Sequence, residues 1–188
     1  MKTKLYLIAA FCGALMSAGC STHNDPQEQP LPQPQPTPEV EWTPGNWTGA
    51  DFSKWSFAKG ADVSFVTQME DEGFVFHHAD GTTPGECMEI LRNDCGVNAI
   101  RLRVWVNPLP MNPSTGKIYN DKADVLKKAL RANSLQLGLM IDFHLSDYWA
   151  DPGKQTIPTA WQGFETPQQM TVAIKEHITD VLTLLKQN

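Results

Sequence analysis

Two short segments with charged alternate faces limit this chain more than any other feature. VNAIRLRVWVNP at residues 97–108 is brief and rich in β-branched residues, which favours a strand over a helix. Alternation along it places Ile100, Leu102 and Val104 on one side and Arg101, Arg103 and Trp105 on the other. LQLGLMIDFH at 135–144 repeats the pattern, with Leu139, Ile141 and Phe143 facing one way and Met140, Asp142 and His144 the other. Such a strand needs helices to cover its aliphatic side. Its opposite side must satisfy buried charge.

The flanking sequence supplies those helices. Lys59 to Ser64 reads as another short strand, followed by a helical turn that Gly73 stops. Phe74, Val75, Phe76 and His77 read as a small hairpin arm, with Ala79, Asp80 and Gly81 as its turn. TTPGECMEILRNDCG carries a full helix signature: Thr83 as N-cap, Pro84 in the first turn, Glu86 closing a capping box and Gly96 as the stop. Asp121 caps a helix over DVLKKALRA, and Thr166 with Gln169 forms a capping box for a longer one. That helix has Met170, Ile174, Ile178, Val181 and Leu185 as its apolar face. The order strand, helix, strand, helix, strand, helix predicts an α/β fold with parallel strands and outer helices. In a (β/α) barrel the inward side chains near strand C-termini line the active site. Arg101, Arg103, Asp142 and His144 fall on that side. Arg101 or Arg103 paired with Asp62 or Asp142 is the expected way to house the charges.

The N-terminal part has a different character. Lys2 and Lys4 precede an apolar run at 5–16, too short to span a bilayer comfortably, and Ser17, Ala18 and Gly19 lead to Cys20. Residues 1–20 resemble a bacterial lipoprotein signal with Cys20 as the lipidated residue; an ordinary secretory signal is the alternative. Both place the mature chain outside the cytoplasm. Residues 21–50 are a Pro-rich linker expected to be disordered, with too little apolar surface for a core. At roughly 3 Å per residue it would hold a domain, residues 51–188, several nanometres from a membrane. The net charge of -6, without a Lys/Arg cluster, argues against nucleic acid as a partner. Cys87 and Cys95 fall on one predicted helix about 12 Å apart, beyond the roughly 7 Å that a disulfide tolerates. They are expected to be free, buried thiols. No CxxC or HExxH spacing is present, and neither a metal nor another cofactor is expected.

The segment IDFHLSDYWADPGKQ ends an apolar strand in groups that resist burial. Ser146, Asp147, Trp149, Asp151 and Trp161 join His144 and Asp142 there. Aromatic faces beside Asp, His and Arg suit neutral sugars: the ring covers the C–H face and the polar groups take the hydroxyls. A single Trp is weak support, since Trp is common in cores.

Three blocks then carry a resemblance: KGADVSFVTQMEDEGFVF, GVNAIRLRVWVNP and IDFHLSDYWADPGKQTIPTAW. The chain from about Phe57 onward resembles glycoside hydrolase family 53, the arabinogalactan endo-β-1,4-galactanases. Leu145 stands where that family usually has Tyr. The resemblance implies a (β/α)8 barrel and a retaining mechanism with two glutamates about 5 Å apart. It places Arg101, Arg103, Asp142, His144, Asp147 and Trp149 in the substrate cleft, with galactan or arabinogalactan as partner. The family's acid/base follows Asn at the end of strand four, and its nucleophile ends strand seven. No Asn-Glu pair occurs in this sequence, so the expectation is an N-terminal piece of about three of eight units, cut before strand four and inactive by itself. A non-catalytic surface glycan-binding lipoprotein and a fragment of another clan-A barrel glycosidase are the rival readings.

Overall fold

The computed structural model describes residues 50–188 apart from Asn112. The signal expected at 1–20, Cys20 and nearly all of the linker lie outside the described residues.

Three parallel strands organise the fold: β1 (Gly60–Asp62), β4 (Ala99–Val104) and β5 (Gly138–Phe143), hydrogen-bonded in the order β1-β4-β5. A two-stranded antiparallel arm, β2 (Phe76–His77) with β3 (Pro84–Gly85), lies between the first two in sequence. The helices are α1 (Val66–Asp71), α2 (Cys87–Cys95), α3 (Lys122–Ser134) and α4 (Pro167–Gln187). Register aligns Ala61 with Ile100, and Ile100 with Leu139; it also aligns Arg103 with Asp142. Side-chain alternation is therefore in phase across all three strands. Ile100, Leu102 and Val104 are fully buried against Val66, Met88, Val125, Ala129, Ala132, Val181 and Leu185. Leu139, Ile141 and Phe143 pack on the edge of that core. The opposite side holds the charged residues.

Local capping explains the element limits. Asp121 accepts from the Asp124 amide at 2.8 Å, and Thr166 with Gln169 forms the reciprocal box at the start of α4. Gly96 ends α2 in the left-handed region at φ 67°, where a side chain is strained. The start of α2 differs from the sequence expectation. Asp80 takes the Thr83 amide and hydroxyl, at 2.8 and 2.5 Å, while Pro84 and Gly85 pair with β2. Thr83 and Pro84 thus belong to the hairpin, and Glu86 caps α2 by accepting from the Glu89 amide at 2.6 Å. Cys87 and Cys95 are free, but only Cys87 is half-buried; Cys95 is exposed on the outer side of α2.

Candidate active site

The charged side of the sheet gathers residues from all three strands. Asp62, at the end of β1, accepts from Arg101 Nη1 through Oδ2, and Arg103 Nη2 stands 3.4 Å from the same oxygen. Asp142 Oδ2 accepts from Arg101 Nη2, lies 4.0 Å from Arg103 Nε and 2.8 Å from His144 Nε2. Two carboxylates, two guanidinium groups and an imidazole therefore form one chain across the sheet. The in-phase register brings them together. Ser64 braces it from behind: its hydroxyl donates to Asp62 Oδ1 at 2.6 Å, and its Oγ accepts the Arg103 amide at 2.8 Å.

Burial pushes the Asp62 pKa up, but the Ser64 hydrogen bonds and the positive charges of Arg103 and Arg101 outweigh it, so the carboxyl sits below the usual carboxylate range. For Arg103, whose residue is 4% exposed, burial dominates and lowers the pKa, with Asp62 opposing. Two neighbouring carboxylates keep that guanidinium charged.

Aromatic rings surround Arg103. Its guanidinium carbon lies 4.4 Å from the centre of the Trp149 ring and 5.3 Å from that of Phe65. His144 meets Trp149 edge-on at 6.0 Å. Trp105, fully buried at the end of β4, stacks on Tyr148 at 5.5 Å. Nε and Nη1 of Arg103, Nδ1 of His144 and Nε1 of Trp105 are buried without a hydrogen-bond partner among the described residues. Unmatched buried polar atoms are uncommon in folded proteins. These four belong to residues at the C-terminal ends of β4 and β5.

Arg101, Arg103, Asp142, His144 and Trp149, all singled out from the sequence, are brought into one neighbourhood. Asp147 is used differently. Its two oxygens accept the amides of Asn107, at 3.0 Å, and Thr159, at 2.8 Å, so it ties three loop segments together. Asp62 entered the sequence reading only as an ion-pair partner, and Ser64 and Tyr148 had no role in it. The spacing of Asp62 and Ser64, two apart, was the available signal for a side chain folding back onto the following loop.

Comparison with known proteins gives this cluster its context. The profile of Glycosyl hydrolase family 53 matches residues 58–188. An endo-β-1,4-galactanase of Bacillus subtilis (strain 168) is 38% identical over 106 residues, covering 56% of this chain and 24% of the relative. An arabinogalactan endo-β-1,4-galactanase of Cellvibrio japonicus (strain Ueda107) is 34% identical over 131 residues, covering 70% and 32%. The solved family 53 catalytic domain of Ignisphaera aggregans superposes with a TM-score of 0.61 at 31% identity, over 70% of this chain and 36% of that one. A solved fungal β-1,4-galactanase gives 0.59 at 31% identity, over 69% and 36%. These neighbours belong to a TIM-barrel enzyme family, in keeping with the parallel strands and outer helices here. The chain spans about a quarter to a third of the length of the curated relatives it matches. With a family profile over most of its length and solved relatives of the same local architecture, this chain belongs to glycosyl hydrolase family 53.

Proposed function

We propose that residues 51–188 are the first three strand–helix units of a (β/α)8 barrel whose mouth binds β-1,4-galactan or arabinogalactan, in an enzyme that cleaves it with retention. One observation carries the reading: Asp62, Arg101, Arg103, Asp142 and His144 converge on one side of a parallel sheet beside the half-exposed Trp149. Trp149 is backed by Arg103 and offers its remaining surface to the C–H face of a sugar. The unmatched Nε and Nη1 donors of Arg103 suit sugar hydroxyls and a carboxylate at the scissile bond, and the unmatched Nδ1 of His144 suits a sugar hydroxyl. Asp147 contributes by holding the loop that carries Trp149.

The reacting carboxylates belong to other strands of the barrel. Glu70 and Glu72 lie on or just after α1, Glu86 and Glu89 at the start of α2, Glu165 before α4 and Glu176 within it. None of these stands at the end of a strand of the parallel sheet, where a pair about 5 Å apart is required for retention. This chain alone therefore binds and does not hydrolyse. Upstream, Cys20 anchors it through lipid to the outer membrane or cell surface after export, with the Pro-rich stretch as spacer.

The test is titration calorimetry of the 188-residue chain with β-1,4-galactotetraose, mannotetraose and cellotetraose, alongside a reducing-sugar assay on galactan. Selective binding of galactotetraose without sugar release is expected. Absence of binding, or equal binding of all three, overturns the substrate assignment, and sugar release overturns the placement of the carboxylates.

A further inference from the structure

We propose that Lys128, buried on the helical side of the sheet, is a positioning residue for the sugar-binding mouth and acts on it through Ser64. The proposal rests on the reading of that mouth given above.

Lys128 is fully buried on α3, an unusual place for an ammonium group. Its three N–H bonds match three acceptors: the Ser64 carbonyl at 2.6 Å, Asn120 Oδ1 at 3.0 Å and Asp124 Oδ2 at 2.7 Å. Two of the acceptors lead onward to strand ends, and the third ties in α1. Ser64 follows β1, and its hydroxyl both holds Asp62 and receives the Arg103 amide. Asn120, in the left-handed region at φ 59°, accepts the Trp105 amide through its carbonyl at 2.8 Å and donates its own amide to Asp124 Oδ2 at 2.7 Å. The other oxygen of Asp124 accepts from Thr67 on α1 at 2.7 Å.

The ammonium is thus the point where the loops leaving β1 and β4 meet. Three oxygens converge on it. Without the positive charge they would repel one another, and the loops would part at Ser64 and Asn120. Asp62 and Arg103 would then lose the brace that fixes their spacing, although neither touches Lys128. Packing alone does not require this residue, because methionine has nearly the same length and volume. Polar atoms this well matched, on a helix that contributes nothing directly to the mouth, are explained by what they hold.

Lys128→Met, Ser64→Ala and the double variant test this in the full chain. Galactotetraose affinity, measured below the melting range, should fall by about tenfold or more in each single variant. The double variant should lose no more than the larger single loss, because both changes cut one link. Independently of sugar, amide hydrogen exchange should quicken at Arg103 and Trp105 in Lys128→Met while Leu102, inside the ladder, keeps its wild-type rate. Affinity losses that add, or exchange that rises uniformly along β4 or not at all, overturn the proposal. If Lys128→Met does not fold, Ser64→Ala alone decides, and wild-type affinity in that variant overturns the link. If the wild-type chain binds no galactotetraose, the proposed function falls while the exchange pattern still decides the role of Lys128.

Discussion

Arg131 shows how a single side chain can tie helices together. It is 6% exposed, donates through Nη1 to Glu70 at 2.9 Å and through Nη2 to Glu70 at 2.6 Å, and also bonds Glu86. Burial alone would depress its pKa, but the two glutamates reverse this and raise it. Replacing it with Met leaves two carboxylates facing each other, so Arg131→Met should cost about 3 kcal/mol in urea unfolding. The cysteines offer a contrast in reactivity. Burial and the nearby Glu86 push the Cys87 thiol up to about 12, whereas Cys95 is exposed. Iodoacetamide at pH 8 should label Cys95 in the native chain and reach Cys87 only after unfolding, as peptide mass spectrometry would show. From the sequence both thiols are expected in the interior. In the structure Cys95 is exposed, because at 3.6 residues per turn a spacing of eight leaves it roughly 80° round the helix from Cys87.

At the level of elements, caps were legible because they depend on residues three or four apart. Thr166 and Gln169 satisfy each other's backbone amides at the start of α4, and Thr166→Ala should destabilise that end by about 1 kcal/mol. Faster amide exchange confined to the first turn of α4 is the expected signature. Gly96 carries a different constraint. An added Cβ would meet only Lys59 Nζ at 3.6 Å, so Gly96→Ala is limited by its φ of 67° and not by space. A loss of about 1 kcal/mol in chemical unfolding is expected. The start of α2 was misread for a reason of the same kind at longer range. Thr83 has cap chemistry, but Asp80 already occupies its hydroxyl and amide, and pairing with β2 draws Pro84 and Gly85 into a strand. A competing turn won.

Across the whole molecule, α4 reaches the sheet and the last loop through His177, whose ring meets Phe143 at 5.9 Å and Trp161 at 6.3 Å, both edge-on. Burial lowers its pKa from 6.5, opposed by Asp180 and reinforced by Lys122. The unfolded chain therefore binds a proton first as pH falls through 6.5, and the folded state does so only at the lower value. This contribution to stability is complete above about pH 7 and is lost as pH falls through the lowered pKa. Thermal melts from pH 7.5 to 5 should show that decline, and His177→Phe should remove it. The sequence by itself determined the strand–helix order, which residues share each strand face, and the family, because these follow from period, capping and local wording. Only the tertiary structure decided that Asp62, Arg101, Arg103, Asp142 and His144 form one connected charge chain, that Asp147 ties loops together, and that Lys128 stands beneath them. Apart from Asp142–His144 and Asp147–Thr159, those contacts join residues about forty to sixty positions apart, and their geometry depends on strand register and loop closure, which no local pattern encodes.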